Sequence, residues 1–467
     1  MVLIKRGGGT GPMKPDNQHS HLNALVSIPT DLYLKDKKTA FFREFFCIDV
    51  KLLFLLKSSF FIFKFSDVTG DFIKKVIFRG GINIMSVKKT YEEINEKIRN
   101  GTVVVVTAEE LIPIVKERGV EEATKYVDVV TTATFGPMCS SGAFLNFGHS
   151  DPPIRMASVL LNNVSAYAGL AAVDSYIGAT EPSTDKGIEY GGAHVICDLI
   201  DGKEIRLQAK SPGTDCYPRT ELDTFITKDS INEAYLFNPR NCYQNYAAAI
   251  NTSNKTMYTY MGVLNPDKAN INYSTSGELS PLLKDPYLRT IGMGTKIFLA
   301  GAPGYISWQG TQFNTGKPRS ENGIPESPAA TLAVIGDLKQ MSTKYISPAV
   351  FEGYGTSMFV GIGIPIPVLD EDLLRSLAVE NKDIYTNIID YSVPTLQKPS
   401  LGKISYAELR SGSVVLDGKE IPTTPLSSLY KARQIADELK VWIKEKGFTL
   451  QEPIKHFEPV ANLNSLK

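Results

Sequence analysis

The sequence predicts an α/β protein: a mixed sheet with flanking helices and long Gly/Pro loops, folded as a single compact unit with sub-domains. Three observations carry this. Helical and strand periodicities alternate between Thr90 and Thr132. The middle, from Tyr243 to Gly316, is rich in Tyr, Thr, Asn and Gly with short β-like runs. No linker rich in Pro or charge divides the 467 residues, although that length alone would allow two or three domains.

Taken in order, the pattern reads as a helix over Tyr91 to Arg99, a strand over Thr102 to Thr107, a helix over Ala108 to Arg118 continuing from Glu121 to Tyr126, and a strand over Val127 to Thr132. A Gly/Pro-punctuated loop, Ala133-Thr-Phe-Gly-Pro-Met-Cys139-Ser140-Ser141-Gly, follows at the strand's carboxyl end, where α/β folds tend to place ligands. From His194 to Ala209, alternation around Asp201-Gly202 predicts a tight hairpin that runs into Ser211-Pro-Gly-Thr-Asp-Cys216-Tyr-Pro-Arg219. A second Asp-Gly, at Asp417-Gly418, reads as the same turn chemistry used again rather than as a duplicated unit. Short strands are expected at Thr256 to Val263, Thr295 to Ala300 and Ala329 to Ile335, and helices at Asp370 to Val379 and Leu426 to Lys446.

The first 84 residues differ from the rest. Half of the 22 phenylalanines fall between Phe41 and Phe78, among Lys, Ile, Leu and Ser. The longest apolar run, Leu52 to Leu56 and Phe60 to Phe63, is broken by Lys57 and falls well short of the roughly 20 residues of a membrane helix. No small-residue cleavage site follows it, so it does not read as a signal peptide. This composition is what AT-rich noncoding DNA yields on translation. Arg79-Gly80-Gly81 can be encoded by a purine-rich ribosome-binding sequence, and Met85 follows at a short distance. Residues 1–84 are therefore expected to be a non-native or disordered extension and the native chain to start at Met85, leaving four of the five cysteines.

Fifty Lys and Arg balance fifty Asp and Glu, so no long-range basic field draws nucleic acid or an anionic membrane. Five cysteines make no disulfide framework, and a reducing cytoplasm is the expected compartment. No Cys-x-x-Cys spacing points to a metal site. Ile291-Gly-Met-Gly and Gly361-Ile-Gly-Ile-Pro lack the third glycine of a dinucleotide fingerprint, and no phosphate loop is present.

Chemistry therefore falls to the cysteines. Gly136, Ser140, Ser141 and Gly142 surround Cys139 with amides that could stabilise a thiolate; the plain alternative is a small buried hydrophobe. Cys216 sits beside Arg219, which could hold a thiolate or a substrate carboxylate. Cys197, within the alternating stretch, reads as structural, and Cys242, in Asn238-Pro-Arg-Asn-Cys-Tyr, as a loop or cap residue. His149, ten residues after Cys139, could serve as acid or base; His194 reads equally well as a satisfied structural residue.

Phe135-Gly-Pro-Met-Cys139-Ser-Ser-Gly-Ala-Phe-Leu-Asn-Phe-Gly-His149, Tyr190-Gly-Gly-Ala-His194 and Ser211-Pro-Gly-Thr-Asp-Cys216-Tyr-Pro-Arg-Thr together resemble the homocysteine-biosynthesis family, over roughly Tyr91 to Phe448. The resemblance implies an L-aspartate semialdehyde sulfurtransferase making L-homocysteine from L-aspartate 4-semialdehyde and a sulfide-level sulfur donor, with Cys139 and Cys216 essential. It also implies a small ferredoxin-like partner. Many members carry C-terminal CBS repeats; this sequence shows none, so adenosyl-ligand regulation in cis is not expected. Turning an aldehyde into a thiol needs two electrons, and without a nicotinamide or flavin fingerprint they must come from a cysteine pair or an external iron–sulfur donor. An iron–sulfur cluster is expected on the partner rather than on this chain. Arg219 or Arg155 would bind the substrate carboxylate, with Ser140 and Ser141 beside it, and His149 would move protons to the carbonyl oxygen. The competing class is a non-catalytic sulfur carrier or iron–sulfur scaffold.

Overall fold

A computed structural model describes residues 87–466, so the expectations for residues 1–84 and the start at Met85 lie outside the described residues. These described residues lie in one compact unit. Thr90 opens α1 (Tyr91–Arg99) with a capping box, its hydroxyl accepting from the Glu93 N–H while Glu93 accepts from the Thr90 N–H. Strand β1 (Val105–Thr107) feeds α2 (Ala108–Tyr126), where Thr107 and Glu110 repeat the device and Gly119, at φ 75°, separates the two expected halves. β2 (Val129–Pro137) then pairs parallel to β1, so the βαβ reading holds.

The chain continues through β3 (Gly142–Asn146), β4 (Ser158–Leu161), β5 (Val164–Ala166), β6 (Asp174–Gly178), β7 (Pro182–Ser183) and β8 (Gly187–Gly191) to α3 (Gly192–Ile200). This helix corrects the hairpin expected around Asp201-Gly202. Seven of its nine residues are buried, so the apolar pattern carries no period that separates strand from helix. Gly202, at φ 79°, ends the helix instead of turning a hairpin. The hairpin lies one element later, between β9 (Ile205–Lys210) and β10 (Glu221–Ile226).

There follow β11 (Glu233–Asn241), β12 (Ala248–Ile250), β13 (Met257–Thr259), β14 (Gly262–Leu264), β15 (Ile271–Tyr273), α4 (Pro281–Lys284), β16 (Lys296–Leu299), β17 (Ala302–Gln309), β18 (Leu332–Asp337), β19 (Ile346–Phe351) and β20 (Gly355–Pro367). The last stretch holds α5 (Glu371–Leu377), β21 (Tyr385–Asp390), β22 (Ser400–Ser405), α6 (Tyr406–Arg410), β23 (Ser413–Leu416), β24 (Lys419–Pro425) and α7 (Leu429–Glu445). Asp417 and Gly418, both at positive φ, make the tight turn between β23 and β24.

The main sheet has the order β1-β2-β20-β16-β17-β18-β11-β3-β6, with β19 also on β20. β4, β5 and β7 to β10 form a second sheet; β12, β15 and β21 to β24 form a third with its own apolar cluster. In the main sheet β2 and β3 stand six places apart, about 29 Å in a flat sheet at roughly 4.8 Å per strand. Only residues 138–141 join them, a reach of under about 20 Å. The sheet must therefore curl until its two parts meet, and the Cys139 turn spans the gap. Helix α7 covers β2 and β20 from outside; a Cβ on Gly363 would lie 3.1 Å from both Ile435 and Leu439. The Gly361-x-Gly363 pair thus serves packing rather than nucleotide binding.

Candidate active site

The loop expected from Ala133 starts only after Pro137, because all of Val129–Pro137 pairs with β20. The chain then turns sharply: the Ser141 N–H and hydroxyl both donate to the Met138 carbonyl, at 3.1 and 2.8 Å. Two strands hold this turn from opposite sides. On one, the Met138 N–H donates to the Met358 carbonyl at 2.7 Å and the Cys139 Sγ lies 3.0 Å from the Ser357 hydroxyl. On the other, fully buried Asn238 accepts from the Ser140 hydroxyl at 3.0 Å and donates to the Ser141 hydroxyl at 2.8 Å.

Asn238 also accepts from the Arg240 N–H at 2.8 Å, and a β-bulge follows at once. Asn238 faces Val334 and Asn241 faces Leu332, so Pro239 and Arg240 oppose Ala333 alone. Such a bulge bends the strand and re-aims its side chains. Arg240 lines a pocket of about 380 Å³ together with Cys139, Ser140, Cys242, Ser276 and four tyrosines, Tyr243, Tyr246, Tyr260 and Tyr354. Among the described residues, no Asp, Glu, Lys or His lines it. A volume of this order suits a small-molecule ligand.

Burial pushes the Cys139 thiol above its ordinary pKa, against the opposing bond from Ser357. Of the two readings left open by the sequence, desolvation favours the neutral thiol; a backbone amide of the turn and the Ser357 hydroxyl of β20 oppose it. Cys242 is fully buried and pushed up to about 12. Burial also raises Tyr243 and Tyr354, and a Cys139 thiolate would raise both further. The pocket at rest is therefore a store of neutral S–H and O–H donors around one guanidinium.

The other expected site residues form a separate group. Cys216 is exposed in the 211–220 loop joining β9 to β10, where Thr214 and Tyr217 exchange backbone hydrogen bonds of 2.9 and 3.1 Å. The exposed His149 ring stacks on Tyr217 with centroids 6.3 Å apart. Arg219 donates its backbone N–H to the Pro153 carbonyl at 3.3 Å and its Nε to the Glu221 carbonyl at 2.9 Å, which brings Ile154 and exposed Arg155 alongside. None of Cys216, His149, Arg155 and Arg219 lines the pocket, and Ser141 lies buried behind it. Cys197 sits in α3, buried and pushed up to about 12 by desolvation, as a structural residue should be. His194 accepts from the Gly191 N–H at 3.1 Å and stacks on Tyr190, a satisfied cap. Among the described residues, no group of three or more His, Cys, Asp or Glu side chains converges to hold a metal ion.

Sequence reasoning missed Asn238, Arg240, Ser357 and the tyrosines. Asn238, Arg240 and Tyr243 stand in the segment singled out for Cys242, and Tyr246 lies three residues beyond it; nothing local marks Ser357.

The family described as "Homocysteine biosynthesis enzyme, sulfur-incorporation" matches residues 103–450. The chain belongs to it. A relative from Methanosarcina acetivorans named L-aspartate semialdehyde sulfurtransferase is 53% identical over 381 residues, 82% of this chain and 74% of the relative. One of the same name from Methanocaldococcus jannaschii is 50% identical over 383 residues, 79% of this chain and 73% of the relative. An uncharacterized protein from Methanothermobacter thermautotrophicus is 30% identical over 332 residues, 69% of this chain and 72% of its own length. No solved structure matches the chain. Among the described residues, no helix is long and apolar enough to cross a membrane.

Proposed function

We propose that this family member transfers sulfide-level sulfur to L-aspartate 4-semialdehyde and releases L-homocysteine, with Cys139 and Cys216 sharing the sulfur and redox work and a ferredoxin-like protein supplying electrons. The observation that carries the reading is the Cys139 thiol in a pocket lined by neutral proton donors and one cation. The name shared by the two most similar relatives described above supports the substrate.

The chemistry balances as follows. An aldehyde, hydrogen sulfide, two electrons and two protons give the primary thiol and water. When a sulfane-sulfur donor rather than sulfide supplies the sulfur, already two electrons more oxidised, it arrives as a persulfide on one cysteine; its terminal sulfur adds to the carbonyl carbon, and the oxygen takes a proton. The second thiol then attacks the cysteine sulfur of that disulfide. It frees a hemithioacetal and leaves a Cys139–Cys216 disulfide, which two external electrons and two protons reopen. The hemithioacetal loses water to a thioaldehyde, and a further electron pair with two protons yields the thiol. The persulfide route thus needs four electrons, consistent with a one-electron iron–sulfur donor used repeatedly.

Tyr243 and Tyr354 suit the proton transfer to the carbonyl oxygen, since burial keeps both phenols protonated beside Cys139. Exposed Cys216, with His149, Arg155 and Arg219 around it, suits contact with the sulfur donor or the electron-donor protein. The two thiols must meet during the cycle with Cα atoms within about 7 Å. The four cysteines among the described residues are all free thiols, which fits a reducing cytoplasm.

The test is anaerobic turnover of the purified protein with L-aspartate 4-semialdehyde, sulfide and a chemical reductant. Homocysteine should form, and Cys139→Ala and Cys216→Ala should each abolish it while circular dichroism stays unchanged. Turnover retained in either variant would exclude the two-thiol scheme; none in the intact protein would favour a carrier or scaffold.

A further inference from the structure

The geometry points to an α-amino-acid subsite in the Cys139 pocket, in which Arg240 takes the substrate's α-carboxylate, the Ser276 hydroxyl is its second donor, and the rings of Tyr246, Tyr260 and Tyr354 receive the α-ammonium. The inference deepens the functional reading above and rests on it for the identity of the reacting group only.

The first observation is how Arg240 is held. The bulge opposite Ala333 turns it toward the pocket, Asn238 fixes its backbone, and Nε donates to the Thr311 hydroxyl at 2.9 Å. The guanidinium also interacts with the Tyr243 phenol, and among the described residues no carboxylate pairs with it or lines the pocket to neutralise it. A planar guanidinium held in this way, with no anion to neutralise it, matches a carboxylate.

A second observation is independent of the first. Ser276 is 1% exposed, and its hydroxyl has no hydrogen-bond partner, although the residue lines the same pocket. Buried polar groups are ordinarily satisfied, so an orphan at a pocket wall marks the place of a ligand acceptor. Thr275, next to it, is occupied: its N–H donates to the Ser427 hydroxyl at 2.9 Å, and its own hydroxyl accepts from the Gly277 N–H at 2.8 Å. Ser276 is thus the donor left over in this segment.

The ammonium must be recognised without an acidic side chain, and the aromatic cluster provides the means. The Tyr260 ring meets Tyr354 and Tyr391 edge-on, at 6.2 and 5.8 Å between centroids. Tyr ring faces attract cations, most strongly where water is excluded. A single cation among rings selects against dianionic phosphates, which need more positive charge. It favours a small zwitterion whose side chain reaches Cys139. Arg155 and Arg219, expected from the sequence to bind the carboxylate, do not line this pocket.

The experiment measures binding apart from turnover, by anaerobic calorimetry on the full chain. The probes are L-homocysteine, 3-aminopropane-1-thiol, which lacks the carboxylate, and 4-mercaptobutanoate, which lacks the amine. The intact protein should bind L-homocysteine about 30-fold more tightly than the carboxylate-free thiol, the scale of hydrogen bonds to a charged group. Arg240→Gln should lose most of that factor for L-homocysteine and little for 3-aminopropane-1-thiol, so that the two ligands become nearly equal. Ser276→Ala should weaken both carboxylate-bearing probes several-fold. If Arg240→Gln does not fold, the ligand comparison on the intact protein and Ser276→Ala still decide. Equal affinity for L-homocysteine and the carboxylate-free thiol, no binding of L-homocysteine to the intact protein, or an Arg240→Gln affinity within twofold would each overturn the subsite. Binding through Arg240 without homocysteine formation would instead sink the functional reading and leave the subsite standing.

Discussion

Replacing Asn238 by Ala removes the side chain that ties the Cys139 turn to the Arg240 bulge. Three hydrogen bonds go at once: from the Ser140 hydroxyl, from the Arg240 N–H, and to the Ser141 hydroxyl. At about 1 kcal/mol net for each bond, with more for a buried group left unpaired, the loss comes to about 4 kcal/mol. Stability is only half of the effect. Cys139 and Arg240 lie on either side of this link, so its loss frees the thiol and the guanidinium to drift apart, and a misplacement near 1 Å can cost about 100-fold in rate. Urea denaturation should show a lower midpoint with an unchanged slope. Anaerobic homocysteine formation should fall by about one to two orders of magnitude in buffer without denaturant, where the variant is still native. A variant within about 1 kcal/mol of the parent and within twofold in turnover would refute the role given to Asn238.

Three further outcomes are expected. Ser357→Ala removes the bond that opposes burial at Cys139, so the midpoint of its alkylation rate against pH should move further above the ordinary cysteine value; a midpoint that stays or falls contradicts the contact. At Asp128, burial alone would raise the carboxyl, but Lys97, the Val104 N–H and Lys89 outweigh it and hold the pKa below the ordinary value. That stability is present above the unfolded pKa of about 3.9 and is lost as pH falls through the lower folded value, so Asp128→Asn should flatten the acid limb of stability against pH. Gly363→Ala would press a methyl group against Ile435 and Leu439 and should cost about 1–3 kcal/mol by denaturation, with no effect if α7 does not pack there.

Legibility in the sequence followed the range of the interaction. The capping boxes at Thr90 and Thr107 lie within four residues of the helix starts they define, and both helices stand where the sequence predicts them. The Asp-Gly pair at 417–418 turns a hairpin, whereas the one at 201–202 closes a helix. The dipeptide specifies only that the backbone turns at positive φ; whether the chain before it is helix or strand depends on the neighbours that bury α3. Likewise Ala133 to Pro137 reads as loop because of its Gly and Pro, yet it is strand because β20 pairs with all of it.

The candidate site carries the same lesson at longer range. Small and polar neighbours drew attention to Cys139, but they do not act as the sequence suggested: Ser140 and Ser141 are bound to Asn238, and the hydroxyl on the thiol belongs to Ser357, 218 residues away. Sheet curvature is what brings these groups together. β2 and β3 can be joined by four residues only if β11 and β20 approach the turn from both sides, so the closure that completes the fold also builds the pocket. A change that flattens the sheet would then separate Ser357 from Asn238 and open the pocket. Substitutions at the bulge, far from Cys139 in sequence, should therefore damage turnover before they unfold the chain.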